Sequence, residues 1–438
     1  MTKTQNDAHD LVIGGGATGV IMAAQILSRS GRRVTLVGRD AAFGHGIAYS
    51  TRDADHLLNT RVASMSAYSD RPDDFMDWLA ANGLPARPDG FVSRATYGRY
   101  MQDLLRPWRN DPRLTLVQGE VVRLRPGAAG VTATLDDGRA VDADRALLAT
   151  GHALAAEEAG LDNAWRFDGA AATDGRVVII GTGLSMVDQT LSLLNGRHRG
   201  PIVAVSRRGL LPLPHDEGVP EVHAIHPPVG GPVSQLLHWV RRHAREAEAA
   251  GGTWRDTVDS LRPHAQALWQ AMSQDQRRRF LRHAASWWGI HRHRIPPGSG
   301  ARIRAAMDSG QLEIRRGTFR RAEPGVAHLR APDGTETRLD AARIIDCRGI
   351  LRDPATHGSP LVRDLLEQGV ARMDPLRIGL DVTPAGHLIG RDGQPQPRLL
   401  AVGPVARAAL WEVTAIPDIR EQAVQLAIPD PAVPAVAG

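Results

Sequence analysis

The stretch "DLVIGGGATGVIMAAQIL", residues 10–27, reads as a strand, a glycine turn and a helix. A second stretch of the same plan, "RVVIIGTGLSMVDQTLSLL", occupies residues 176–194. In the first, Val20, Ala24 and Leu27 recur at the spacing of one helix face; in the second, Val187, Leu191 and Leu194 do so. Each is followed by another apolar strand, "RRVTLV" (32–37) and "PIVAVS" (201–206). The echo continues downstream. Residues 120–151 and 318–349 both contain a Pro-Gly turn, an alternating run, an Asp-Gly hairpin turn and a closing strand that ends in glycine. The chain therefore contains two homologous α/β units.

Gly14-Gly15-Gly16-Ala17-Thr18-Gly19 matches G-x-G-x-x-G between a strand and a helix, the context a dinucleotide-binding turn requires. Gly14 serves the tight turn, Gly16 lets backbone approach a pyrophosphate, and Gly19 lets helix and strand pack closely. The helix N-terminus adds free N–H groups and partial positive charge. An acid that holds the ribose is expected about 20 residues on, at the end of the second strand. Gly38 stands there instead, followed by Arg39 and Asp40. Either Asp40 reaches the ribose or Arg39 lies over the adenine.

The second turn, Gly181-Thr182-Gly183-Leu184-Ser185-Met186, keeps the first two glycines and has Met186 at the third. That change removes a packing role and leaves the phosphate approach intact, so a wider helix–strand spacing or a shifted helix is expected. Its second strand ends in Arg207 and Arg208 with no acid, which points to NADPH over NADH because an arginine there accommodates a 2′-phosphate.

Composition narrows the class. The chain has 438 residues, enough for two or three domains with a sizeable core. A net charge of +5 is small for this length. The densest basic runs, 277–282 and 315–321, lack the row of aromatics on which bases stack, so no nucleic-acid partner is expected. Cys347 is the one cysteine, which excludes an internal disulfide or a dithiol relay; it reads as a small core residue. No apolar run approaches the roughly 20 residues that span a bilayer, and the polar N-terminus has no signal-peptide pattern, so a cytoplasmic protein without a membrane partner is expected. Neither "HRHR" (291–294) nor "HDEGVPEVHAIH" (215–226) has metal-ligand spacing, so no metal is expected.

Several further stretches are recognisable: "FGHGIAYSTRDADHLLNTRVASMSAYSD" (43–70), "RATYGRYM" (94–101), "GTGLSMVDQTLSLL" (181–194), "SRRGLLPLPH" (206–215), "WWGIHRHRIPP" (287–297) and "AVGPVARAALWEVTAIPDIREQA" (401–423). With them the chain resembles the two-dinucleotide-binding-domain flavoproteins, and more narrowly the bacterial FAD/NAD(P)-binding family that includes FAD-dependent urate hydroxylases. The resemblance implies an α/β chain of two Rossmann-like domains, the NADP domain inserted into the FAD domain. The FAD domain would run over 1–160 and return over 351–438. The NAD(P)H domain would span 170–350, with a helical insertion at about 230–300. The tail at 429–438 reads as frayed.

Carried over by position, Gly14, Gly16 and Gly19 hold the FAD pyrophosphate. His45, Gly46 and the segment from Asn59 to Met65 line the flavin side, and Arg94 helps fix FAD. Val121 meets the adenine, Thr150 and Gly151 close the unit, and Gly403 with Thr414 approaches the ribityl chain and ring. Gly181, Gly183 and Ser185, with Arg207 and Arg208, hold NADPH. Where many relatives have an acid after the glycine at 403, this chain has Pro404.

A flavin and a nicotinamide in one chain imply hydride transfer to FAD. Without a cysteine pair, molecular oxygen is the natural acceptor, which implies a C4a-(hydro)peroxyflavin and hydroxylation of a small polar substrate, a purine-like heterocycle or an amine. The site must then exclude water, and the Pro/His-rich loop at 210–233 with the tryptophan-bearing helices forms a cover. Glu412 is a proton handler or a structural hydrogen-bond partner. His291 and His293 share one side of an extended segment and face substrate, cofactor or carboxylates. A reductase that passes electrons to a quinone or protein, and a non-catalytic nucleotide binder, are the competing readings.

Overall fold

The computed structural model describes residues 8–152, 158–165, 174–349 and 353–428. The first unit runs β1 (His9–Ile13), α1 (Ala17–Arg29), β2 (Arg33–Gly38), α2 (Asp74–Ala81), α3 (Arg94–Asp103) and β3 (Leu114–Gln118). A meander, β4 (Val121–Pro126), β5 (Val131–Leu135) and β6 (Ala140–Ala143), then leads to β7 (Arg145–Leu148). The second unit has β8 (Asp162–Asn163), β9 (Val177–Ile180), α4 (Leu184–Asn195) and β10 (Ile202–Ser206). Helices α5 (Val233–Ala249), α6 (Trp254–Leu261), α7 (Ala265–Ala271), α8 (Gln274–Arg279) and α9 (Ala285–Arg292) follow. Then come α10 (Pro297–Asp308), β11 (Leu312–Arg316), a second meander of β12 (Thr318–Glu323), β13 (Val326–Arg330) and β14 (Glu336–Asp340), and β15 (Arg343–Asp346). The return comprises α11 (Pro354–His357), α12 (Pro360–Gln368), β16 (His387–Ile389), β17 (Pro395–Ala401) and α13 (Ile416–Ala427).

The two sheets repeat one topology. The first is ordered β16-β17-β7-β1-β2-β3 and the second β8-β15-β9-β10-β11 read from its opposite edge. Ile13 is in register with Val37 and Leu148, as Ile180 is with Val205 and Asp346. Even the irregularities match, with a register shift between Val121 and Arg123 and another between Phe319 and Arg321. The runs Leu11–Ile13 and Val177–Ile180 are wholly apolar and buried, as strands covered on both faces must be.

The return segment completes the first sheet. β17 lies parallel to β7 with Ala401 opposite Leu148, so β1, β7 and β17 end on one edge. This edge gathers the turn at Gly14, the Thr150-Gly151 pair and Gly403, the place where open α/β sheets bind ligands. The amphipathic pattern of α1 understates its burial: every residue from Ala17 to Leu27 is inside, because α13 packs along it from the return segment.

The helical insertion lies between β10 and α10, and it packs on the return segment as well. Trp269 stacks on Trp411 with centroids 4.6 Å apart and donates its indole N–H to the Ala408 carbonyl at 2.8 Å. The loop at 210–233 is pinned from the first unit, where Arg61 donates to the carbonyls of Asp216 and Gly218 at 2.6 and 2.7 Å. The Pro/Ala-rich tail, 429–438, is outside the described residues. Among the described residues no helix is long and apolar enough to cross a membrane.

Candidate cofactor and active site

Close packing fixes the first glycine turn. A Cβ at Gly14 would lie 2.3 Å from the Ala149 carbonyl oxygen, and one at Gly19 would lie 1.9 Å from the Gly14 oxygen. Gly16 caps α1 and lies under Gly46, whose Cα would be 3.4 Å from a Cβ at 16. Thr18 meets Gly403, whose N–H is held by the Gln422 side chain at 2.8 Å. The first turn of α1, with its N–H groups, therefore faces a cradle made of Gly46, the Thr150-Gly151 pair and Gly403. These residues fit a pyrophosphate with backbone on all sides.

The missing acid at position 38 has a steric reason. A Cβ at Gly38 would lie 2.8 Å from the Gly15 Cα and 2.9 Å from the Phe43 ring. No side chain fits there, so a carboxylate cannot. Arg39 and Asp40 are both exposed beyond the end of β2, and the Arg39 carbonyl accepts from Gln118 at 3.3 Å.

The other residues expected around FAD are spread more widely. His45 lies against Gly98 of α3. The Asn59 carbonyl accepts from His215 at 3.0 Å, and the Met65 carbonyl from Tyr97 at 2.9 Å. Val121 has its side chain in the core. The Arg94 guanidinium is 3.0 Å from Asp188 on α4, so it ties the two units together. His56 joins the same seam, bonded to Ser192 at 2.8 Å and to the Asp188 carbonyl at 3.1 Å. A cavity of about 660 Å³ opens here, with Ser185, Asp188, Gln189, Ser192 and Asn195 from one face of α4. Burial raises the Asp188 carboxyl above its ordinary value, against the pull of Arg94 and His56.

The second turn shares the strand-side constraint and differs elsewhere. A Cβ at Gly181 would lie 2.2 Å from the Cys347 carbonyl oxygen, but one at Gly183, the cap of α4, meets nothing within 4 Å. Met186 is fully buried. The open cap and the free first turn of α4 fit a second nucleotide phosphate group. Arg207 is exposed. Arg208 donates to the carbonyls of Arg282 and His283, within a π-helical stretch at Phe280–Ala284 that leaves such carbonyls open. Cys347 is buried, and burial raises its thiol well above the ordinary value.

Glu412 and His293, 119 positions apart in the chain, are brought together: His293 Nε2 is 3.9 Å from Glu412 Oε2. Glu412 is 5% exposed and has φ 64°, an uncommon left-handed conformation for a non-glycine residue. Thr414 closes the same tight turn by donating to the Glu412 carbonyl at 2.6 Å. Trp288 donates to Oε1 at 2.7 Å, and Arg292 lies 3.5 Å from Oε2. Burial pushes the carboxyl up, but His293, Arg292, the Trp288 N–H and Arg407 outweigh it and hold it below its ordinary value. Burial pushes His293 down to about 4 despite Glu412. At neutral pH the pair is a carboxylate beside a neutral imidazole.

The expectation that His291 and His293 share one side of an extended segment is corrected. Residues 285–292 form α9, so His291 bonds back to the Trp287 carbonyl and packs against Trp254, while His293 caps the helix and turns to Glu412. Sequence reasoning missed Trp288, Arg292 and Arg407; only their place in the quoted motifs marked them. Among the described residues no group of three or more His, Cys, Asp or Glu is arranged to hold a metal.

Residues 11–153 match the family described as FAD-NAD(P)-binding. No curated protein matches the chain. The fold is similar to the reduced form of ornithine hydroxylase (PvdA) from Pseudomonas aeruginosa, at 15% identity and TM-score 0.64, covering 96% of this chain and 98% of that one. It is similar to the Kutzneria ornithine N-hydroxylase in a structure with reduced FAD, NADP+ and L-ornithine, at 13% identity and TM-score 0.59, covering 96% and 98%. It is also similar to bacillithiol disulfide reductase Bdr from Staphylococcus aureus, at 12% identity and TM-score 0.56, covering 96% and 97%. The chain therefore has the two-unit fold of flavin-dependent oxidoreductases, with a FAD-NAD(P)-binding region over its first unit.

Proposed function

We propose that this chain is an NADPH-dependent FAD monooxygenase that hydroxylates a small polar substrate with molecular oxygen. The observation that carries the reading is the meeting of Glu412 and His293 beside the return segment, in a chain whose one thiol is buried. A disulfide reductase of the same fold needs a reactive sulfur at the flavin; here Cys347 lies in the second unit, where its carbonyl covers Gly181. Bound FAD would supply hydride acceptance from NADPH and, once reduced, activation of oxygen. Gly14, Gly16, Gly19, Gly46, the Thr150-Gly151 pair and Gly403 would hold it. Gly183, Ser185 and Arg207 would hold NADPH.

The protein's own contribution is positioning and proton control. Trp288 and Arg292 keep Glu412 ionised and fixed, and His293 offers a neutral ring nitrogen that can take or release a proton. The insertion, clamped by the Trp269–Trp411 stack, keeps water from this side. Motifs shared with the family of FAD-dependent urate hydroxylases favour a purine-like heterocycle or an amine as substrate.

The test is turnover of purified, FAD-loaded protein with NADPH under ¹⁸O₂ across a panel of purines and amines. The reading expects substrate-stimulated NADPH oxidation and ¹⁸O in the product. Peroxide alone with every substrate, or undiminished anaerobic turnover with an artificial acceptor, would replace it with a reductase. Glu412→Gln is expected to lower kcat about 10²-fold while FAD content stays normal.

A further inference from the structure

Arg407 has a task that the charge cluster around Glu412 does not use. Its guanidinium lies over the Trp411 ring at 4.5 Å, and the other face of that indole is covered by Trp269 at 4.6 Å. The platform is rigid and buried, with Trp411 only 6% exposed. Arg407 is half-buried, its Nε is closed off from solvent without a partner, and among the described residues its side chain donates no hydrogen bond and joins no ion pair. Compare Arg32 and Arg145, which share Asp10, and Arg94, which pairs with Asp188. Burial pushes the Arg407 guanidinium down to about 10, against the pull of Glu412.

The groups around it do not satisfy it. Glu412 is within its field but beyond ion-pair distance; Trp288 bonds its Oε1, and Arg292 and His293 lie 3.5 and 3.9 Å from Oε2. His152, directly after the Thr150-Gly151 pair, is pushed down to about 3 by burial and by Arg407, so it is neutral at neutral pH. Arg292 NH2 is also buried without a hydrogen bond. Arg292 also lies in the field of Asp418 and Asp259, whereas Glu412 is the one carboxylate that pulls on Arg407.

We infer that Arg407, held over Trp411, binds a carboxylate or equivalent planar anion of the substrate, so that this protein acts on anionic small molecules. A stacked guanidinium offers its N–H fork in one plane, which matches the two oxygens of a carboxylate, and an ammonium cannot reproduce that geometry. The inference rests on the oxidoreductase reading and names the substrate class of that same site.

The test uses matched probes, acetate against acetamide and benzoate against benzamide. Binding to the FAD-loaded chain is read by tryptophan fluorescence and by the flavin visible spectrum. The carboxylates are expected to bind wild type more tightly than the amides. Arg407→Gln should weaken carboxylate binding about ten- to a hundredfold and leave the amides within twofold. Arg407→Lys should recover only part of the loss. Equal binding of acids and amides by wild type, or unchanged carboxylate binding by Arg407→Gln, overturns the inference. So does loss of FAD in Arg407→Gln with the acid preference intact, because the arginine would then serve the cofactor. A chain that takes up no FAD defeats the proposed function, while fluorescence still reads carboxylate binding and decides the role of Arg407.

Discussion

Gly14 and Gly181 occupy equivalent points of the two units, each pressed under a carbonyl of the neighbouring strand's end, Ala149 in one and Cys347 in the other. Beyond that shared contact the units diverge. In the first, Gly46 lies on Gly16, Gly403 lies on Thr18, and Gly19 has no room for a methyl group. In the second, the cap at Gly183 is open and Met186 fills the gap below α4. A turn enclosed on all sides suits a cofactor that stays bound, and an open turn suits one that comes and goes. The divergence reaches the far end of the strands. Asp10 of β1 is wholly buried between Arg32 and Arg145, whereas the matching place in β9 is Val177, equally buried. Arg343, the counterpart of Arg145, turns to Asp162 at 2.6 Å instead.

The largest way to break this contrast is to give the first unit the second unit's residue. Asp10→Val leaves two arginines buried without their carboxylate, and a loss of about 3–5 kcal/mol in unfolding free energy is expected by denaturant titration. The same carboxyl predicts acid lability. Burial raises its pKa, but Arg145 and Arg32 outweigh that and hold it below the ordinary carboxylate value. Its stabilisation is therefore fully present above the unfolded-state pKa of about 4 and is lost as pH falls through the lowered folded value. Asp10→Asn should be less stable at neutral pH and show a shallower decline below pH 4; an identical acid profile in the two proteins would contradict this.

Next in size is Gly19→Ala, where the new methyl group would meet the Gly14 carbonyl. An unfolding penalty of about 3 kcal/mol and loss of retained FAD are expected. Met186→Ala should destabilise by a similar amount, about 2–5 kcal/mol for the cavity, yet retain FAD. If both variants retain FAD equally, the two turns do not differ as described.

Smaller still is the discrimination between nicotinamide cofactors. Arg207→Ala should raise KM for NADPH about tenfold or more and leave KM for NADH unchanged. Arg208→Ala should leave that ratio alone, since its guanidinium holds the carbonyls of Arg282 and His283. The smallest effect is expected at Gly183→Ala. Its methyl group meets nothing in the protein, so stability should stay within about 0.5 kcal/mol while NADPH binding weakens. The matched Gly16→Ala should instead disturb FAD, because its methyl group faces Gly46.

The helical insertion shows where sequence reading stopped. Its tryptophans were legible as apolar residues on helices, but nothing local told that Trp269 would stack on Trp411, 142 positions later. The histidines of "HRHR" illustrate the same limit. Spacing by two implies one side of a strand, whereas the segment ends a helix, and of its two histidines the cap residue His293 reaches Glu412 while His291 turns back to Trp287. Arg94 and Arg208 were legible as cations near nucleotide turns. Which anion or carbonyl each one meets depended on the packing of α4 and of the insertion.

The sequence by itself determined the two glycine turns, their helices and the paired meanders, because turn sterics and apolar periodicity act over a few residues. It also determined that no dithiol relay exists, since that needs only a count of cysteines. Only the tertiary structure decided that Gly38 leaves no room for an acid, that Glu412 and His293 meet, and that Arg407 lies over Trp411 with no ion-pair partner among the described residues. Each of these depends on the burial of one segment by another far along the chain, and burial sets both the space available to a side chain and the charge it can hold.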